Sequence, residues 1–168
     1  DSDIDFVLDL CIAVKEAWGT SAKKDFILNL PATVERRPPW HYADMIAYFI
    51  QHYPYMNETT ISVHSHNDQG CAVASTEMTL LAGAERVEGT LFGHGERTGN
   101  VDIVTLALNL QSLGIDPKLD FSNLPKIVKA VEEASGIDVH QRHPYAGQLA
   151  FTAFSGSHQD AIRKGFEK

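Results

Sequence analysis

Long apolar runs are missing from this sequence of 168 residues. None approaches the ~20 residues a helix needs to cross a bilayer, so no membrane partner is expected. Cysteine is scarce, with Cys11 and Cys71 alone. Two thiols make no disulfide framework, which fits a reducing compartment, and both read as small hydrophobes inside helix-like stretches. Basic clusters are missing as well. The net charge is −8, and nucleic acid or an anionic membrane surface would want a basic face, so neither is expected as a partner. No basic-then-apolar start marks a secretory signal. The initiator Met is also absent, and the abrupt DSDIDF start reads as a piece of a longer protein.

What is present describes an ordinary globular chain. Hydrophobic residues make up 43% and charged residues 21%, enough for one domain with a sizeable core. Residues 4–18 carry apolar positions at helical spacing and are closed by Gly19. FILNLPATVE (26–35) reads as a strand that ends or bends at Pro31. Pro38 and Pro39 open a helix through about residue 53. ISVHSH (61–66) is a strand, 70–82 a helix stopped by Gly83, ERVEGTLF (85–92) a third strand, and 101–114 a helix. After Gly114 the pattern changes. A helix over about 122–135 has Ser122 or Asn123 as its cap, and the chain ends in a short amphipathic stretch. Three strand–helix units in succession form an α/β pattern of parallel units with right-handed crossovers. They are too few to close an eight-stranded barrel but suffice for part of one.

The chemistry gathers at strand ends. His64 and His66 alternate with Ile61, Val63 and Ser65, so the two imidazoles share a face at the C-terminal end of their strand. That is where parallel α/β folds place active sites. The pair is either a metal-binding pair or two satisfied histidines. Asn67 and Asp68 follow and offer groups that hold a loop or a ligand in place. GHGERTGN stands after the next strand. Its glycines let backbone approach a ligand, and Glu96, Arg97 and Asn100 supply an acid, a cation and an amide oxygen. The plainer reading of that loop is a glycine-rich turn with a surface ion pair. Thr33, at the end of the first strand, meets a substrate carboxylate or caps a turn. His94 reads as a solvent-exposed loop histidine or a stray ligand. His41, His52, His140 and His143 read as surface histidines.

Together LNLPATVE, HSHNDQGCAVA, EGTLFGHGERTGNVDIVTLALNL and RHPYAGQLAFTAFSGSHQDAI resemble the 2-isopropylmalate synthases of actinobacterial and fungal type. The resemblance covers essentially the whole chain. HxHND with GERTGN at this spacing marks the Claisen-condensing family that also holds homocitrate synthase and hydroxymethylglutaryl-CoA lyase. The fold it implies is the C-terminal part of a TIM (β/α)8 barrel, strands six to eight, over residues 1–143. The start of a linker subdomain follows over 144–168. The activity it implies is condensation of acetyl-CoA with 2-oxoisovalerate and water to give 2-isopropylmalate and CoA, in leucine biosynthesis. A divalent ion, Zn²⁺, Mg²⁺ or Mn²⁺, is implied, with His64, His66 and Asn100 as ligands. Thr33 and Arg97 are implied at the substrate, and Glu96 and His158 as catalytic residues. The resemblance also implies that His158 reaches the partner subunit's site in a homodimer. The location implied is cytoplasmic, or mitochondrial for a fungal protein.

Departures accompany the resemblance. His94 stands where Asn is usual, and Ser65 where Pro is common. The family's Asp ligand belongs to a first barrel strand outside this sequence, leaving three of four protein ligands. The chain alone is therefore expected to be inactive or nearly so, with open sheet edges that favour association. The competing expectations are a homocitrate synthase-like condensation, a metal-dependent hydrolase, and a structural fragment without catalysis.

Overall fold

The computed structural model describes residues 3–19 and 25–166. The chain divides into two compact units, 1–115 and 116–168.

The first unit opens with α1 (Ile4–Trp18). The Asp3 carboxylate accepts from the Asp5 N–H at its start, and Gly19 ends it in the left-handed region at φ 74°. Gly is suited to that position because it lacks the Cβ that would clash. β1 (Ile27–Ala32), α2 (Pro39–His52), β2 (Thr60–Ser65), α3 (Ala72–Leu81), β3 (Arg86–Val87) and α4 (Ile103–Ser112) follow. The three strands are parallel, in the order β1-β2-β3. This is the α/β arrangement expected from the alternating pattern.

Alternation along β2 divides its residues between two faces. Ile61 and Val63 are fully buried. Val63 joins Ile46 and Ala84, while Ile61 joins Phe49 and Tyr53 under Val7, Leu8 and Cys11 of α1. Burying each such side chain stabilises the fold by ~1.5–3 kcal/mol. Ala72, Val101 and Leu106 form a third cluster that ties α3 to α4. Lys15 is 4% exposed. Its ammonium reaches Glu58 at 2.8 Å and lies over the rings of Phe26 and Tyr55, which together compensate for its burial.

Several expected boundaries shift for identifiable reasons. β1 does not stop at Pro31. The Ala32 carbonyl accepts from the His66 N–H and the Phe26 carbonyl from the Thr60 N–H, so even-numbered residues face β2. Pro31, whose nitrogen carries no hydrogen, faces the edge, where none is needed. The third strand is two residues long instead of eight. Past Val87 the chain turns against Val101: a Cβ on Gly89 would lie 2.6 Å from the Val101 carbonyl oxygen, and the Thr90 N–H donates to that same oxygen at 3.1 Å. His66 lies one residue beyond β2, in a bridge to Asn100. Cys71 precedes α3 as its cap residue instead of lying inside the helix.

The second unit contains α5 (Leu124–Ser135) and α6 (Gly156–Phe166). Of the two expected caps, Asn123 acts, its side chain accepting from the Lys126 N–H. Between the helices, turns run from His140 to Thr152. No helix among the described residues is long and apolar enough to cross a membrane.

Candidate active site

The site is built on the loops that follow the C-terminal ends of the strands. His64 projects from the face of β2 opposite Ile61 and Val63, and His66 follows just past the strand end. Their ring centroids are 5.0 Å apart and the planes are nearly perpendicular. Asn100 is brought to them by the His66–Asn100 bridge and by the Val101 N–H donating to the Ser65 carbonyl at 2.8 Å. Its carboxamide nitrogen lies 2.9 Å from His64 Nε2 and 3.5 Å from His66 Nε2. Half a turn of that amide presents Oδ1 to the same point, since the two ends have nearly the same shape.

Glycines make room for this convergence. A Cβ on Gly95 would lie 1.8 Å from Asn100 Oδ1, and one on Gly99 would lie 2.1 Å from the Gly93 carbonyl oxygen. Gly99 also has φ +96°, which L side chains rarely adopt.

The two imidazoles have different partners. His64 Nδ1 is 3.0 Å from the Glu88 carbonyl oxygen. That oxygen can only accept, so Nδ1 carries the proton and Nε2 keeps a lone pair. His66 Nδ1 is 2.8 Å from Arg97 Nη2. Burial first, then the charges of His64 and Arg97, push the His66 pKa down. The ring is thereby kept neutral, as a ligand must be.

Arg97 is engaged on every side. Nε donates to Asp68 at 2.9 Å and Nη2 to the Thr33 carbonyl at 2.6 Å, while Nη1 pairs with Glu96. Its own backbone is in the left-handed region at φ 53°. The Arg97 contact, and then the Glu35 N–H, hold Asp68 down to a pKa of about 2. Glu96 is exposed and stands 3.9 Å from His66 Nδ1. Asn67 accepts from the Ala72 N–H at the start of α3, at 3.1 Å.

Thr33, His64, His66, Glu96, Arg97 and Asn100 thus meet in one place. A cavity of about 340 Å³ opens beside His66, lined also by Thr33, Arg37, Tyr42, Met45 and Ser75. His158 lies on α6 in the other unit, exposed, its backbone N–H 3.3 Å from Ser155 Oγ. His94 is half-buried, not solvent-exposed. Its ring lies 6.3 Å from that of Phe92, and its Nδ1 is buried without a hydrogen-bond partner. Sequence reasoning passed over Glu35, which is buried and accepts from the backbone N–H groups of Gln69 and Cys71.

These donors suit a divalent cation in part. Two neutral imidazole nitrogens and an amide oxygen form a borderline set that zinc or manganese accepts. Among the described residues no group of three or more His, Cys, Asp or Glu side chains is placed to hold a metal, so the set depends on Asn100.

Comparison with known proteins follows the same lines. A relative from Marinomonas sp. (strain MWYL1), named 2-isopropylmalate synthase, is 59% identical over 162 residues, covering 96% of this chain and 29% of its own length. One from Schizosaccharomyces pombe with the same name is 55% identical over 167 residues, covering 99% of this chain and 29% of its own length. The chain therefore spans under a third of these curated relatives. Among solved structures, Bacillus subtilis HMG-CoA lyase matches with a TM-score of 0.67 at 23% identity, over 83% of this chain and 46% of its own. Hydroxymethylglutaryl-CoA lyase from Pseudomonas aeruginosa matches with a TM-score of 0.67 at 17% identity, over 98% and 49%. At such identity these likenesses concern the fold. A short family match, described as alpha-isopropylmalate synthase, post-catalytic domain-like, covers residues 148–168. The larger match covers residues 1–131, and the chain belongs to the HMGL-like family.

Proposed function

We propose that this chain supplies the cation-holding part of a 2-isopropylmalate synthase, which joins acetyl-CoA to 2-oxoisovalerate and releases 2-isopropylmalate and CoA. The observation that carries the reading is the convergence of His64 Nε2, His66 Nε2 and the Asn100 carboxamide beyond the end of β2. The relatives' shared name supports it. The three strands correspond in this reading to the sixth, seventh and eighth of a barrel, with residues from 144 opening a linker subdomain.

His64, His66 and Asn100 would hold the divalent ion. A bound ion would supply Lewis acidity toward the keto group and the negative charge that builds on its oxygen. Thr33, which lines the cavity beside His66, would meet the keto acid's carboxylate. The new carbon–carbon bond runs from the acetyl methyl carbon to the keto carbon. It requires loss of a methyl proton, for which Glu96, an exposed carboxylate 3.9 Å from His66 Nδ1, is the candidate base. Water then cleaves the thioester, and CoA leaves as the thiol. His158 would serve proton transfer at the partner subunit's site in the assembled homodimer. Arg97 has a positioning part in this reading. With its donors spent on Asp68, Glu96, Thr33 and His66, it holds the loops around the substrate more than the substrate itself.

Isothermal titration of Mn²⁺ or Zn²⁺ into the metal-free chain tests the centre, with His64→Ala and His66→Ala as controls. Binding that disappears in both variants is the expected result. Binding that survives both would move the ion elsewhere. For the intact protein, 2-oxoisovalerate-dependent release of CoA from acetyl-CoA tests the reaction, and preference for a dicarboxylic keto acid would count against it.

A further inference from the structure

We infer that Glu35 is a positioning residue for the two-histidine site, acting through Asp68 and Arg97 on the His66 ring. The inference deepens the functional reading above and rests on it for its meaning, while its geometry stands independently.

Glu35 follows β1 and is 6% exposed. A carboxylate so placed needs donors, or burial is costly. It finds them in the backbone of the next βα loop. The Gln69 N–H donates to it at 2.5 Å and the Cys71 N–H at 3.1 Å, at the entrance to α3. Its own backbone N–H donates to Asp68 Oδ2 at 2.9 Å. One residue therefore grips the 67–71 loop from both its side chain and its main chain. Asp68, so held, receives Arg97 Nε at 2.9 Å. Arg97 comes from the third loop and closes the ring, reaching back to the Thr33 carbonyl at 2.6 Å and to His66 Nδ1 at 2.8 Å. The loops after all three strands are joined through these three side chains.

The last contact has a chemical consequence. A guanidinium only donates, so His66 Nδ1 accepts and its ring proton sits on Nε2. His64 is the reverse, with Nδ1 donating to the Glu88 carbonyl. The network thus makes the two imidazoles inequivalent. His64 presents a lone pair at Nε2 already. His66 presents one only when Arg97 yields Nδ1 and the ring proton moves from Nε2 to Nδ1, which Glu96 Oε1 faces at 3.9 Å. Removing the Glu35 carboxylate leaves its backbone N–H on Asp68 but frees the Gln69 and Cys71 N–H groups, so the 67–71 loop that carries Asp68 loosens and Arg97 loses its fixed place on His66, with no change in any residue that touches the ring.

Long-range ¹H–¹⁵N spectra of the histidine rings read this directly in the labelled chain. In the unaltered protein the pyridine-type nitrogen should be Nδ1 in His66 and Nε2 in His64. In Glu35→Ala the His66 signal should divide between both tautomers. The Gln69 and Cys71 amides should also lose about tenfold in hydrogen-exchange protection, as expected when a charge-assisted bond is removed. Glu35→Gln keeps one acceptor oxygen and should restore most of the His66 signal. Ile46→Val, a core change outside the network, should leave the ring signals in place, which separates positioning from lost stability. Unaltered His66 signals in Glu35→Ala would overturn the inference. If that variant does not fold, Asp68→Asn cuts the same chain of contacts at a more exposed point, and unaltered His66 signals there would overturn it equally. Failure of Mn²⁺ to bind would sink the metal reading and leave these ring signals as they are.

Discussion

The two units of the chain are held in different ways. In 1–115 the side chains of Phe49, Ile61, Val63, Val101 and Val104 are all fully buried. Among the described residues from 116 onward, only Gly147 is buried. There a Cβ on Gly147 would lie 2.4 Å from the Gln141 carbonyl oxygen and 2.5 Å from the His143 N–H nitrogen, so the burial reflects a tight turn and not a core. The first unit is built on apolar clusters. The second, as described, is held by caps, turns and surface pairs such as Asp116–Lys118 and Asp160–Lys164. Burial and density of family motif are therefore different things in this chain. HPYAGQLAFTAFSGSHQ is rich in motif and exposed, with Phe151 83% and Phe154 74% accessible.

The contrast is sharpest for large-to-small substitutions. Phe49→Ala removes a ring that is 0% exposed and stacked 5.2 Å from Tyr53. It should cost ~3–5 kcal/mol in chemical denaturation followed by near-ultraviolet dichroism. Phe151→Ala should change stability by less than about 0.5 kcal/mol, as surface substitutions do. Equal losses from the two would mean that the second unit has a core of its own.

Within the first unit, the glycine cradle can be separated from the core. Gly95→Ala puts a methyl group where Asn100 Oδ1 now lies. The carboxamide must move off the two Nε2 atoms. Affinity for Mn²⁺ should fall by about 10–100-fold, while the melting temperature moves far less than in Phe49→Ala. A loss of structure equal to that of Phe49→Ala, without a selective loss of affinity, would show that Gly95 serves the fold and not the site.

Much of this arrangement was legible in the sequence, and the rest was hidden for definite reasons. α1 closes at Gly19 as its pattern requires, because apolar periodicity and a left-handed cap are local features. The parallel order of the strands followed from alternating βα units. The eight-residue third strand did not form because Gly89 lies against Val101, a contact no local pattern records. The nearness of His64, His66 and Asn100 followed from strand alternation and motif position. Glu35 stayed hidden because it is bound by backbone N–H groups more than thirty residues away. Any residue offers a backbone N–H, so such a partner leaves no trace in the sequence.

Acid should distinguish the units more gently. Asp68 titrates at about 2 in the folded chain, against 3.8 for the free group. Its contribution is complete above pH 3.8 and disappears as the pH falls toward 2. Asp68→Asn should therefore flatten the acid limb of the first unit's stability curve over that window, with little change at neutral pH beyond the lost Arg97 contact. His66 acts at higher pH. Its lowered pKa makes its contribution complete above 6.5 and lost below, as burial opposes the imidazolium. An acid limb unchanged in Asp68→Asn would assign the slope to other carboxylates of the first unit.

The smallest effect on the isolated chain is expected at His158, and that is its use. Its side chain is exposed, and the contact its backbone makes, to Ser155 Oγ, does not depend on the imidazole. His158→Ala should leave stability within about 0.5 kcal/mol and Mn²⁺ affinity unchanged. In the intact dimer, if the proposed proton transfer holds, the same change should lower kcat with little effect on KM for the keto acid, because a group acting only in the transition state leaves substrate binding alone. A silent substitution in the chain paired with a slow enzyme would show that His158 acts only after assembly. A substitution silent in both would return it to an ordinary surface position and leave Glu96 to move the proton alone.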